Sequence, residues 1–408
     1  MHYDLIVIGM GLSGLMAAKT AAETGGKILI IGKGAGSLCL FSNTIDLLGL
    51  SSRDEKLSDT ISQWTENHPE HPYSKVGLKN IEGALSSFAS LFPPPYSFET
   101  VGNGNCLIPT GAGTLRLTYL IPITMLAGTS LKEGNSLIVG LKGFKDFYAE
   151  YVAHHLGCRG VTLPLPETLH QEITATALAR LMERGSFRKT IAKEIRSRLL
   201  GETRVGVPAL LGIRDPWKVK KDLEEITGAE VFEIPVLPPS IPGMRIFNRF
   251  KEWLIQKGVT FLLGHSVSKA TLKGRKCESI EVSNPPLSSS YSADRYILAT
   301  GRFTGGGLVA DEEKIFEPIL DLPVAQPQSR EDWFRKSFFS DLPHPVHHVG
   351  ISTDSSLRPI DEKGDFILEN VWVAGSILSH HHSIDEKSRE GIEIATGYTA
   401  AKQALGKQ

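Results

Sequence analysis

One stretch near the N-terminus limits what this chain can fold into more than any other. Residues 4–33, DLIVIGMGLSGLMAAKTAAETGGKILIIGK, read as a strand, a glycine turn, a helix and a second strand. Leu5, Ile6, Val7 and Ile8 form the unbroken apolar run of a parallel strand buried on both faces. Gly9, Gly11 and Gly14 then supply G-x-G-x-x-G. In that pattern the first glycine permits the tight turn, the second lets backbone N–H groups approach a diphosphate, and the third lets the helix pack on the strand. The spacing predicts a helix over 12–23 whose N-terminus carries partial positive charge for phosphates. A glycine motif alone is common, but between an apolar strand and an Ala-rich helix it reads as a dinucleotide-binding βαβ unit. One standard part is absent. The acid expected about twenty residues on, where it would hold an adenosine ribose 2′-OH, is replaced by Gly32.

Composition excludes several classes. The 408 residues suffice for two or three lobes, and 41% apolar content reads as globular. With 44 basic and 45 acidic residues the net charge is −1, so neither a nucleic-acid-binding surface nor an acidic tail is expected. Cys39, Cys106, Cys158 and Cys277 lie far apart with no C-x-x-C, which argues against an iron–sulfur cluster or zinc site and predicts no metal ligands. A reduced, cytoplasmic setting fits that cysteine usage. No apolar run reaches the roughly 18 residues of a membrane span, and no basic segment with a cleavage site follows Met1. The expectation is a soluble chain, with peripheral attachment through a partner left open.

Further along, the polar centre of residues 34–50, Ser42-Asn43-Thr44, reads either as a loop reaching a buried ligand or as an Asx or Ser/Thr turn. Residues 51–75 read as a surface excursion, with His68 and His71 beside prolines and not as metal ligands. Phe92-Pro93-Pro94-Pro95 marks a boundary near residue 100. Beyond it the pattern predicts a strand at 137–139 and helices over 144–156, 175–184 and 188–198, the last with Ile191 and Ile195 facing inward. The proline-rich stretch 233–243 is an extended connector. A helix over 244–257 and strands at 259–263, 279–282 and 296–298 restore an α/β pattern. The strand at 296–298 runs into Ala299-Thr300-Gly301, small residues that let backbone pass close to a ligand.

A strand at 371–373 ends in Ala374-Gly375-Ser376, followed by His380, His381 and His382 and a helix over 391–405. These features predict an α/β chain: a Rossmann-like FAD/NAD(P)-binding flavoprotein fold with an inserted α+β cap lobe. Its flavin-binding domain is expected from 1–104 and 240–408, and the cap or substrate lobe from 105–239. Gly375 and Ser376 are expected beside the cofactor. The last helix should aim its N-terminus at the flavin, with Gly391 nearest the ring. A functional role for the histidines puts His381 near the flavin, moving a proton at neutral pH; the other reading leaves them facing solvent.

The linked order of SNTIDLLG (42–49), LIPTGAGT (107–114), VGLKGFKDFY (139–148), TALARLMER (176–184), ILATGRFTGGGLVAD (297–311), EPILDLPV (317–324), STDSSLRP (352–359) and NVWVAGSI (370–377) resembles, nearly end to end, the B subunit of bacterial anaerobic glycerol-3-phosphate dehydrogenase. The resemblance implies a flavin subunit, usually with FMN, in a complex that oxidises sn-glycerol 3-phosphate and sends electrons toward quinone. FAD is also compatible with Gly32. The implied partners are a second flavoprotein subunit and an iron–sulfur subunit that meets the membrane. Arg302 and Arg358, inside matched segments, are candidates to grip the phosphate of a small alcohol substrate bidentately, or else structural ion-pair residues. Two departures stand out. The family has Ser-Gly-Ser where this chain has Ser42-Asn43-Thr44, and a glycine pair where it has the histidine run. A non-catalytic electron-relay or scaffold subunit is the alternative reading.

Overall fold

The glycine unit forms where the apolar pattern puts it: a strand His2–Ile8, a helix Leu12–Glu23 and a second strand Ile28–Gly32. The computed structural model describes residues 2–50, 55–133, 135–165, 172–284 and 287–406. His2–Ile8 is central. Ile28–Gly32 pairs with it in parallel on one side and Leu287–Leu298 on the other. Thr260–Leu263 extends the sheet in parallel beyond Ile28–Gly32, and Val371–Val373 pairs in parallel with the end of Leu287–Leu298. Ser266–Lys273 and Lys276–Asn284 complete it as antiparallel strands. Leu5, Ile6 and Val7 have no exposed surface, as a strand covered on both faces requires.

The first helix seats on the glycine turn, and the last helix on the first, because glycines face backbone. A Cβ on Gly14 would strike the Gly9 carbonyl, and one on Gly397, in the last helix Arg389–Leu405, would strike the Ser13 carbonyl. A second apolar core, drawn from residues between 127 and 241, surrounds a four-stranded parallel sheet. Its order is Glu230–Ile234, Arg204–Pro208, Ser136–Leu141, Arg159–Leu163. The main core takes residues from 3 to 120 and from 246 to 404. A buried ion pair joins the two: Arg245, on helix Ile241–Gln256, donates to both oxygens of Glu233 at 2.7 and 2.8 Å.

Two details differ from the sequence pattern. Residues 51–75 are not a plain surface excursion. Helices Leu57–Asn67 and Pro72–Val76 form there, while 51–54 lie outside the described residues. Leu57, Ile61, Tyr73 and Val76 are buried, and His71 caps the second helix by accepting from the Tyr73 N–H at 3.1 Å. His71 itself is almost fully buried. The helix expected from 144 begins only at Ala149, after a turn that buries Phe144 and Phe147.

Candidate active site

The parallel strands of the main sheet all end on one side, and a cavity of about 1150 Å³ lies across those ends. That is where open α/β sheets bind ligands, and the volume lies above the roughly 300–1,000 Å³ of an ordinary small-molecule pocket. Each strand end contributes. Gly9, Met10, Gly11 and Ser13 follow the first strand, and Lys33, Gly36 and Ser37 follow the second. His265, Ser266 and Ser268 come from one flank of the sheet; Ala299, Thr300, Gly301, Arg302 and Ser376 come from the other.

The three glycines of the first turn do different work. Gly9 has φ +117°, which an L side chain rarely adopts, and a Cβ there would overlap the Ala299 carbonyl. Gly14 is fixed by packing. A Cβ on Gly11, by contrast, meets no protein atom within 4 Å. Gly11 also lines the cavity and caps the Leu12–Glu23 helix, so open space lies at a helix N-terminus, a position suited to a phosphate group. Gly32 has a steric reason: a Cβ there would collide with Met10. The ribose acid therefore has no room, and Lys33, His265, Ser266 and Ser268 are the polar groups available at that end.

The start of the last helix brings a carboxylate to the cavity edge. Glu393 lines the cavity beside Ser37, and its Oε2 is buried without a partner among the described residues. Burial, reinforced by nearby Glu390 against the pull of Arg389, pushes its carboxyl up to about 7. Burial and Glu390 likewise push Asp46 up to about 6, although Arg116 is ion-paired to it. For Glu393 the folded value lies above the ordinary 4.5. Its contribution to stability is thus fully present below about pH 4.5 and is lost as pH rises through about 7. Glu393→Gln should gain on the wild type between about pH 5 and about pH 8, by at most about 3 kcal/mol. Thermal unfolding at both pH values checks this; the same pH dependence in both proteins would contradict it.

On the opposite flank the structure redistributes the expected roles. Arg302 lines the cavity, but its fork is already occupied: Nη1 donates to the His347 carbonyl, and Nη2 to the carbonyls of Leu378 at 2.9 Å and His381 at 3.1 Å. It cannot grip a phosphate bidentately as placed. Only Nε is left, buried without a partner, and burial lowers the guanidinium to about 10 despite the attraction of Glu386. His381 does not reach the cavity. It is fully buried, its Nδ1 accepts from Arg302 at 3.1 Å, and burial together with that charge holds it well below the ordinary histidine value. That imidazole lies against Arg302 and His71, outside the cavity lining, and its Nε2 is buried without a partner among the described residues. Glu386 accepts from His71 at 3.2 Å and from the His382 N–H at 2.8 Å. Burial pushes the Glu386 carboxyl up, but these hydrogen bonds outweigh it and hold the group at about 2.

The remaining expected residues sit away from the cavity. Arg358 pairs with Asp354 at 2.8 Å and lies over the Phe366 ring, the structural role rather than the phosphate one. Asn43, at φ +58°, donates to the carbonyls of Leu38 and Phe41 and to Ser240, while Ser42 accepts from Arg116. With Thr44, which is fully buried, they hold the 34–50 loop and do not line the cavity. Gly375, at φ +85°, packs against Ser13, leaving its neighbour Ser376 to face the cavity. Gly391 is not the ring-facing residue. Its missing side chain makes room for the Tyr73 hydroxyl and Leu47, and its N–H donates to the Asp46 carbonyl. His347 and Glu393, which the sequence did not single out for the site, line the cavity, and of the histidine run it is His382 that does so. The i,i+3 spacing of His382 and Asp385 was a signal for one of them. Among the described residues no group of His, Cys, Asp and Glu is arranged to hold a metal ion, and no helix is long and apolar enough to cross a membrane.

Comparison with known proteins agrees with this geometry. Residues 4–391 match the FAD binding domain family. That match corrects the expected FMN to FAD, which fits a cavity running past Gly11 to both flanks of the sheet. A probable B subunit of anaerobic glycerol-3-phosphate dehydrogenase from Halobacterium salinarum is 32% identical, with 98% of each chain covered. The B subunit of the Vibrio cholerae enzyme is 30% identical, over 99% of this chain and 97% of its own. A solved 3-ketosteroid delta1-dehydrogenase from Sterolibacterium denitrificans is 10% identical over the whole of both chains, with a TM-score of 0.47. This chain is a flavin-dependent oxidoreductase subunit and belongs to the family of anaerobic glycerol-3-phosphate dehydrogenase B subunits.

Proposed function

We propose that this chain holds FAD across the strand ends and oxidises sn-glycerol 3-phosphate to dihydroxyacetone phosphate, as one subunit of a complex that passes the electrons toward quinone. The single observation that carries the reading is a set of unpartnered polar atoms on residues that line the cavity. An open glycine cradle at a helix N-terminus lies at its centre, and on one flank sit buried polar atoms without partners among the described residues: Thr300 Oγ1, Arg302 Nε and His347 Nδ1. Buried polar groups are ordinarily satisfied, so such a cluster facing a cavity supports a polar ligand there. Gly9, Gly11, Lys33 and Ser37 would hold the diphosphate, and Ala299 to Gly301 with Ser376 the ring end. When bound, FAD supplies a two-electron acceptor. The companions would be a second flavoprotein subunit and an iron–sulfur subunit at the membrane.

A relay role has one observation in its favour: the arginine best placed for substrate phosphate has its fork on backbone carbonyls. The test mixes purified, FAD-loaded protein with sn-glycerol 3-phosphate without oxygen. Bleaching of the flavin absorbance by substrate alone is the expected result. Bleaching that occurs only when the companion subunits are present would reject substrate oxidation by this chain and leave the relay.

A further inference from the structure

Oxidising an alcohol takes two hydrogens, and the chain must provide for the one on oxygen. The titratable groups lining the cavity are few enough to compare. Glu393 lies beside Ser37, against the turn that cradles the diphosphate, and His265 stands on the Thr260–Leu263 flank. His347 presents a buried Nδ1 with no partner. His382 differs from all of these: its Nδ1 lies 2.7 Å from Oδ2 of Asp385, its ring stacks on His347 at 4.3 Å, and it lines the cavity on the Ser376 flank. A carboxylate on Nδ1 keeps the proton there, which leaves Nε2 unprotonated and able to accept.

We propose that His382 takes the hydroxyl proton of the substrate alcohol, with Asp385 fixing its tautomer. This rests on the reading that the substrate binds on this chain. The O–H bond breaks toward His382 Nε2, and a bound FAD would accept the carbon-bound hydrogen together with its electron pair. The carbon–oxygen double bond forms, so one proton rests on the imidazole and two electrons leave the alcohol. Three groups face that imidazole: Asp385, on its own turn and largely exposed, and the rings of His347 and His348, from the turn Pro345–His348. The backbone around it is independently anchored, since the His382 N–H donates to Glu386. Glutamine in place of His382 therefore keeps that bond and loses the base.

Two measurements on the FAD-loaded protein test the assignment. In histidine ¹⁵N NMR, with the His382 signal identified by its loss in His382→Gln, Nε2 should be the unprotonated nitrogen and should shift when dihydroxyacetone phosphate is added. In single-turnover bleaching by sn-glycerol 3-phosphate, His382→Gln should lower the limiting rate by about 100-fold or more, the scale of a lost general base. The half-saturating concentration should change far less. Asp385→Asn should slow the same step and leave the flavin bound. Wild-type protein that the substrate never bleaches overturns the substrate reading and this assignment with it. Wild type that is bleached, beside a His382→Gln variant bleached equally fast, or an Nε2 that carries the proton and ignores dihydroxyacetone phosphate, overturns the assignment alone.

Discussion

Gly11→Val is expected to yield a folded protein without flavin. The position tolerates a side chain as far as the protein is concerned, since nothing lies within 4 Å of a Cβ there and its backbone is extended, at φ −69° and ψ 178°. A valine would project into the cavity at the helix N-terminus proposed to hold the diphosphate. Losing that approach should weaken FAD binding at least about 100-fold, or about 3 kcal/mol. Gly14→Val gives the opposite outcome, because its Cβ runs into the Gly9 carbonyl and the helix can no longer seat on the strand. Flavin absorbance and circular dichroism of the two purified variants distinguish these effects. Full flavin content in a folded Gly11→Val protein would remove the diphosphate from this turn.

The largest stability effect is expected between the lobes. Arg245 and Glu233 are 4% and 1% exposed, and the pair is further held by Arg245 donating to the Gly212 carbonyl at 2.8 Å and by Thr124 and the Leu211 N–H donating to Glu233. Burial pushes the Glu233 carboxyl up, but the Arg245 charge and hydrogen bonds outweigh it and keep the group below the ordinary range. Arg245→Met leaves an unpaired carboxylate in the interior, which costs about 3–5 kcal/mol. Arg245→Met with Glu233→Leu should recover part of that loss, because no charge is then stranded. The recovery is incomplete, since Thr124 and the Leu211 N–H lose their acceptor. Urea unfolding of both variants measures this. A single variant within about 1 kcal/mol of wild type would mean that the pair does not hold the lobes together.

The framework was legible because it depends on local pattern. Leu5 to Ile8, the glycine spacing and the Ala-rich helix each specify the same βαβ unit, and the structure has it over those residues. Weaker patterns were harder. Arg159–Leu163, Arg204–Pro208 and Glu230–Ile234 carry charged residues at their ends and alternate poorly, so their pairing becomes visible only once Ser136–Leu141 has a sheet around it. The site was legible by neighbourhood and not by residue. Ala299 to Arg302 and Ser376 fall on the cavity because strand ends do. Which histidine of three faces inward depends on one backbone angle and on distant partners: His380 adopts φ +61°, and Arg302 and His71 approach His381 from other elements. Nothing in the local sequence encodes that. Gly391 misled for a similar reason, since the Tyr73 hydroxyl that fills its space comes from a helix more than three hundred residues earlier.

The claim on which everything else rests is that one FAD lies along the strand ends of this chain. Protein purified with its native cofactor, denatured by heat, and the released flavin run on a chromatographic column against FAD and FMN standards, measures it directly. The account predicts FAD, in about one equivalent per chain. FMN, a nicotinamide alone, or protein that neither carries nor takes up FAD would contradict it.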